Sequence, residues 1–467
     1  MNTLSRKLFC GIVVFCIATA VTVPAQVFTK MHNFTGTEGA NPYTALVQGI
    51  NGNLYGTTID GGAYGYGNVF GTNAAGELVS IYSFCSQSNC IDGENPAMPL
   101  VVGSDGNFYG TASNGGSNGA GTVFKITPTG QLTTLHNFNI GDGASPYSAL
   151  VLGIDGNFYG TTNLGGSSGF GTLFKITAGG NLTTLYNFCS QLNCADGEFP
   201  VGGLIQGSDG NIYGTTHAGG NTTCHDGCGT VFRITTSGKL TTLHSFNQAD
   251  GMYPYGGVVQ GADGALYGTT GGGGANSSGT VFTVDASGHL ATLHSFDGTD
   301  GSSPYAISVG SDGNFYGTTA QGGTFGVYGT IFEITSGGAF TTLHNFDVSD
   351  GALVYSGLMQ STNGSFYGTT YFGGNRNDGT VFSLNNNLDP FVSFVRASGR
   401  IGQTAGILGQ GFTGATSVTF NGTSAKFSVV SNTLLLATVP KGASTGYVEV
   451  SAVNSNLKSA VPFVIFP

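Results

Sequence analysis

The string [Leu/Phe/Ile]-Tyr-Gly-Thr returns seven times, with its tyrosine at Tyr55, Tyr109, Tyr159, Tyr213, Tyr267, Tyr316 and Tyr367. A chain that repeats itself every ~50 residues builds its core from copies of one supersecondary unit, so this period limits the possible folds more than any other feature. A second string, Gly-[Thr/Asn]-[Val/Leu/Ile]-Phe, follows each copy and ends at Phe70, Phe124, Phe174, Phe232, Phe282, Phe332 and Phe382. A third, LTTLHNF at 132–138 for example, follows six of the seven; the others end at Phe84, Phe188, Phe246, Phe296 and Phe346.

Each copy reads as four short strands. In the third copy they are ALVLG (149–153), NFYGTT (157–162), GTLFKIT (171–177) and NLTTLYNF (181–188), rich in β-branched and aromatic residues and separated by turn residues. Asp155-Gly156 joins the first two as a tight hairpin, and Asp-Gly or Asn-Gly holds that place in every copy. Four antiparallel strands per repeat is the pattern of a propeller blade. The seventh copy stops after its third strand, at Phe382-Ser383-Leu384, while an orphan fourth strand, VFTKMHNF (27–34), precedes the first copy. A ring can use that permutation by letting the first strand complete the last blade, which removes a sheet edge. A linear solenoid has no use for it. The expected fold is all-β: a seven-bladed β-propeller over residues 26–387, its N-terminal strand closing the last blade, then a small β-sandwich over 388–467.

Only 8% of the residues are charged, against about a quarter in ordinary globular chains. The 39% hydrophobic content still supplies a large core, so Thr, Ser, Asn and Gly must cover the surface. The net charge is −11 and no Lys/Arg cluster occurs, which argues against nucleic acid and anionic lipid as partners. Residues 1–25 differ from the rest. Arg6 and Lys7 precede an apolar run from Leu8 to Val21, and Val23-Pro24-Ala25 puts small residues before Gln26. This is the pattern of a secretory signal peptide, and the run falls short of the about 20 residues that span a bilayer. The expectation is a monomer, secreted or at the cell surface, with no membrane span after cleavage. The six remaining cysteines form the close pairs Cys85/Cys90, Cys189/Cys194 and Cys224/Cys228, which an oxidising compartment would make disulfides.

The recurring GxDGNFYGTTxxGG…GTVFxIT…LTTLHxF unit resembles the GloVer, or choice-of-anchor, tandem-repeat family over residues 27–384. The resemblance implies export and repetition and no particular activity. Beyond Asn387 the chain is similar to IPT/TIG immunoglobulin-like domains. The matching strings are Gly402-Gln403-Thr404, Gly409-Gln410-Gly411-Phe412, VTFNG (418–422), Val439-Pro440 and Gly446-Tyr447-Val448-Glu449-Val450. That resemblance implies a spacer or adhesive module.

Strand alternation puts the inter-blade connections and the connections between second and third strands on one loop-rich face. The inter-blade loops carry an acidic residue before Gly in every copy: Glu38, Asp92, Asp142, Asp196, Asp250, Asp300 and Asp350. Two readings compete. The carboxylates form a ring around a channel mouth, or each accepts local backbone hydrogen bonds and starts a turn. Recurrence in every copy favours the turn, because a single ligand site is built from differences between blades. Pro follows three residues after that Gly in six copies, and Tyr43, Tyr147, Tyr255 and Tyr305 follow the proline. The most singular loop is 222–228, with His225 and Asp226 between its cysteines and His217 just before it. Two Cys and two His suit zinc, but an exported chain favours the disulfide. His136, His244, His294 and His344 share a strand position with Tyr82 and Tyr186, which points to packing.

The candidate ligand-binding face is therefore His217, His225, Asp226, Asp142, Asp250, Asp300 and Asp350. No catalytic residue, metal or cofactor is assigned, since H-E-x-x-H and phosphate-loop strings are absent. The expected function is non-enzymatic binding of a glycan or a protein. The alternatives are a structural or adhesive spacer, and an extracellular lyase or hydrolase at the same face.

Overall fold

A computed structural model describes residues 26–453 and 455–466. The signal-peptide expectation falls on residues 1–25, outside the described residues. Six copies of the repeat each form a four-stranded antiparallel sheet with its strands in chain order, and the seventh supplies three strands of another, giving an all-β, propeller-type domain. In the third copy the strands are Val151–Leu152, Phe158–Thr162, Thr172–Ile176 and Leu182–Asn187. The two middle strands are buried on both faces except at Lys175, as their Phe, Tyr, Thr, Leu and Ile content requires. The hairpin between the first two strands turns through Ile154, Asp155 and Gly156. Gly153 N donates to Asn157 O and Gly156 N to Gly153 O, and of the turn residues only Gly156 is left-handed, at φ 78°. This is a type I turn with a glycine bulge. Its Asp155 earns a second role by accepting the Tyr159 hydroxyl at 2.8 Å.

The glycine of Tyr-Gly-Thr pairs in register with the phenylalanine of the third strand, Gly160 with Phe174 in the third copy. The ring lies directly over that glycine: a Cβ on Gly160 would stand 2.7 Å from Phe174 Cζ and from Leu150 Cδ2. The same phenylalanine receives the edge of a fully buried phenylalanine from the preceding sheet. Phe84–Phe124, Phe138–Phe174, Phe188–Phe232, Phe246–Phe282, Phe296–Phe332 and Phe346–Phe382 repeat this contact, with ring centroids 5.1 to 5.3 Å apart. The tyrosines of the repeat add a second ring contact across the seams, as in Tyr109–Phe158 at 4.1 Å.

The last copy, with strands Met359–Gln360, Phe366–Thr370 and Thr380–Asn385, takes its fourth strand from Val27–Asn33. That strand carries the same bulge against its partner as the fourth strands of the other sheets. Phe34 then meets Phe70 of the first sheet at 5.2 Å. Thr369 Oγ1 donates to Thr44 O at 3.0 Å, as Thr161 Oγ1 does to Pro200 O and Thr215 Oγ1 to Gly256 O between consecutive sheets.

The C-terminal region forms two four-stranded sheets whose inner residues, among them Ile407, Phe412, Phe420, Leu435, Val450 and Phe463, share one core. It rests on the hairpin end of the propeller-type domain. Phe391 N donates to Thr362 O, Thr433 Oγ1 to Ile50 O, and Arg396 Nη1 to Ile154 O, so it touches the hairpin turns of the first, third and seventh copies. Among the described residues no helix is long and apolar enough to cross a membrane.

Gly160→Ala tests the ring-over-glycine packing. The added methyl cannot enter without displacing Phe174, and urea unfolding is expected to show a loss of about 1–3 kcal/mol.

Candidate functional site: a tyrosine-lined mouth

The position after the loop proline leads each chain segment into its innermost strand. Tyr43, Tyr147, Tyr255 and Tyr305 occupy it, and Tyr355 holds the same place after Val354. In the second and fourth copies the residue is Ala97 or Val201. These side chains converge at the centre of the loop-rich face. Tyr43 meets Tyr355 at 4.9 Å, Tyr305 at 5.6 Å and Tyr147 at 6.3 Å between centroids, and Tyr255 stacks on Tyr305 at 5.4 Å. Tyr371, at the end of the last Tyr-Gly-Thr-Thr strand, joins them 5.8 Å from Tyr43. The hydroxyls of Tyr43 and Tyr305 share a hydrogen bond of 2.6 Å. Burial raises the pKa of both phenols, so they stay protonated at any physiological pH. Below the rings lies a cavity of about 230 Å³ whose wall includes Ala45, Ala149, Gly203, Gly257 and Gly357. Small residues there leave room that larger ones would fill.

Two polar side chains, His217 and Asp60, lie against these tyrosines. His217 packs against Tyr253 and Tyr255, with centroids 5.0 and 4.7 Å apart. Its Nδ1 is buried with no hydrogen-bond partner, and burial lowers its pKa to about 4, so it is a neutral imidazole at pH 7. Asn163, one copy earlier at the same strand end, likewise has a buried Oδ1 without a partner. Asp60 interacts electrostatically with Tyr147 and Tyr371, and burial raises its carboxyl pKa. Unpartnered buried polar atoms are costly unless something in the functional state satisfies them.

The acidic residues before Gly do not ring this mouth. Each is bound to the outermost strand of the sheet that precedes it, at the periphery. His136 Nε2 lies 3.1 Å from Asp142, His244 3.0 Å from Asp250, His294 2.7 Å from Asp300 and His344 2.9 Å from Asp350. Their other oxygens accept backbone N–H groups of Asn139, Asn247, Asp297 and Asp347. In the first copy Glu38 accepts from Thr35, Thr37 and His32. Although burial raises its pKa, these bonds hold it near 2. The carboxylates are thus occupied in turns, and the histidines, expected only to pack, are their partners. In the two copies with a Cys-x4-Cys insertion the acid lies ten residues from its partner instead of six, and a tyrosine replaces the histidine: Tyr82 donates to Asp92 and Tyr186 to Asp196, both at 2.7 Å. Cys85–Cys90, Cys189–Cys194 and Cys224–Cys228 are all disulfides.

The structure also separates residues that sequence proximity grouped together. His225 and Asp226 form a 2.8 Å pair at the loop tip, with the imidazole 93% exposed and nothing converging on it. His217 turns inward to the tyrosines instead. The tyrosines, Asn163 and Asp60 were not among the sequence-derived candidates. The visible signal was the tyrosine after the loop proline, at the doorway of each innermost strand.

A family model of the Gloeobacter/Verrucomicrobia repeat matches residues 14–226 and 221–430. No curated protein matches the chain. Two solved structures overlap it loosely. One is a putative gluconolactonase, 9% identical over 79% of this chain and 94% of that one, with a TM-score of 0.41. The other is a gluconolactonase from Xanthomonas campestris, 14% identical over 62% and 86%, with a TM-score of 0.38.

Two outcomes are expected from these contacts. Asp92 is fully buried and accepts from Tyr82, Ser86 and Gln87; Asp92→Ala should cost about 2–3 kcal/mol in chemical unfolding. His217 has a folded pKa of about 4, below the ~6.5 of an unfolded histidine. Between those values the unfolded chain binds a proton that the fold refuses, so stability should fall as pH drops from ~6.5 to ~4, by about 3 kcal/mol in all. His217→Gln should remove that part of the pH dependence, read from urea midpoints at several pH values.

Proposed function

The chain belongs to the Gloeobacter/Verrucomicrobia repeat family, and we propose that it is a non-enzymatic binding protein that holds a neutral glycan at the tyrosine-lined mouth. The observation that carries this reading is the meeting of six tyrosines with the unpartnered His217 Nδ1. Sugar rings offer apolar C–H faces and a fringe of hydroxyls. Aromatic faces with a few convergent neutral polar groups complement both. The mouth also breaks the repeat as a ligand site must. Its ring position alternates between tyrosine and the small Ala97 and Val201, and the neighbouring strand-end position holds Asn163, His217 or Tyr371 in different copies. Loop tips of the same face carry the exposed Tyr64, Tyr66, Ile140, Leu192, Phe325 and Val327, which would widen the contact for a long ligand.

The architecture we infer for this site is a seven-bladed ring closed by Val27–Asn33, supported by the pairing of that strand with Thr380–Asn385 and by the Phe34–Phe70 contact. The C-terminal region is read as an IPT/TIG-like module. Export by residues 1–25 would place the mouth outside the cell, where polysaccharides are met.

The test is calorimetry and thermal unfolding with neutral oligosaccharides of several linkages. One class should raise the melting temperature by mass action. Tyr255→Ala, which removes the most exposed ring of the cluster, should weaken that binding at least ten-fold while leaving the circular dichroism spectrum unchanged. Binding that is equal in the variant, or absent for every glycan, sinks the proposal.

A further inference from the structure

The opposite end of the molecule holds a larger space. Between the hairpin end of the propeller-type domain and the C-terminal sheets lies a chamber of about 1170 Å³. One wall is apolar and comes from the innermost strands: Val101, Val151, Leu152, Ile205 and Val259. Phe466 and Val464 of the C-terminal region face it. Ligand sites of drug size typically measure about 300–1000 Å³ and combine such walls with a few fixed polar groups.

The fixed polar group here is Arg396. It lines the chamber, is partly buried, and sits in the segment that enters the C-terminal sheets. Its Nε donates to Ser398 O at 3.0 Å and its Nη1 to Ile154 O at 3.1 Å. Both acceptors are neutral carbonyls, and no carboxylate of the described residues pairs with it. The nearest acid acting on it, Asp155, already accepts Asn157 and the Tyr159 hydroxyl. Two bonds leave most of the five guanidinium donors free, held in place by backbone contacts and still charged. Of the other charges at the chamber, Lys458 and Asp389 are exposed at its rim, and Asp312 accepts Asn314 and the Tyr316 hydroxyl. The sheltered charge is therefore positive and planar, beside an apolar wall.

The geometry points to a second binding site, independent of the mouth, that takes an organic carboxylate with an extended apolar body: the carboxylate on Arg396, the body along Val151, Leu152, Ile205 and Val259. A guanidinium fork matches a carboxylate in two parallel hydrogen bonds. The apolar wall sets this ligand apart from a simple inorganic anion.

The experiment is titration calorimetry of the full chain with decanoate, 1-decanol and acetate. Decanoate should bind at least ten-fold tighter than either of the others, since decanol lacks the charge and acetate the body. Arg396→Met should abolish that preference for decanoate over decanol. Because Arg396 also contacts Ile154, a second variant guards against undocking: Val259→Trp fills the chamber from the propeller side and leaves Arg396 intact, and it should weaken decanoate at least ten-fold. Tyr255→Ala should bind decanoate as the unaltered protein does, which separates this site from the mouth. The proposal is overturned if decanol binds as tightly as decanoate, if the unaltered protein does not bind decanoate, or if Val259→Trp binds it normally.

Discussion

One phenylalanine ring in each sheet joins three elements at once. It covers the glycine of the neighbouring strand, fills the space that glycine leaves, and receives the edge of a buried phenylalanine from the preceding sheet. Edge-to-face pairs of this kind add about 0.5–1.5 kcal/mol beyond the area they bury. Their larger effect is geometric. A ring wedged between strand and seam fixes the angle at which successive sheets meet, and the same contact recurs at every seam. The convergence of tyrosines at one end depends on that repetition, because a side chain can reach the centre from several sheets only if all the sheets are inclined alike.

The weak charge content fits this design. The surface is held by Asp–Tyr, Asp–His and Thr–carbonyl hydrogen bonds more than by ion pairs between long side chains. Asp105, Asp155, Asp209, Asp263 and Asp312 each accept the hydroxyl of the tyrosine four residues on. Short side chains lose less rotamer freedom than Lys or Glu when they are ordered, so a surface rich in Thr, Asn and Asp can be locked down cheaply.

Much of this was legible in the chain. The repeat marked the four-stranded sheets, the orphan strand at 27–34 marked its partner at 380–385, and the cysteine spacing marked three short disulfides. The site was harder to see. His217 was grouped with His225 by distance along the chain, yet the two sit on opposite sides of a turn and face different surroundings. The pairing of Asp142 with His136 crosses six positions and a change of direction, which no linear pattern shows. The tyrosines of the mouth come from five different copies, with the hydrogen-bonded Tyr43 and Tyr305 262 positions apart, and most become neighbours only when the sheets are assembled.

The strand at Val27–Asn33 places the first described segment of the chain beside the last strand of the repeat, with Phe28 stacked on His344 at 3.7 Å as well. Time enters the structure at this seam. During synthesis the other six sheets can form as their own four strands emerge, each from local contacts. The last sheet must wait, since one of its strands is made before the repeats and its partner only with the seventh copy. Folding of the repeat region therefore ends in a single long-range step whose loop-closure cost no local contact can prepay. Until then the repeat region carries an unsatisfied strand at each of its ends, and that interval is when pairing between two copies of the chain competes with completion of one.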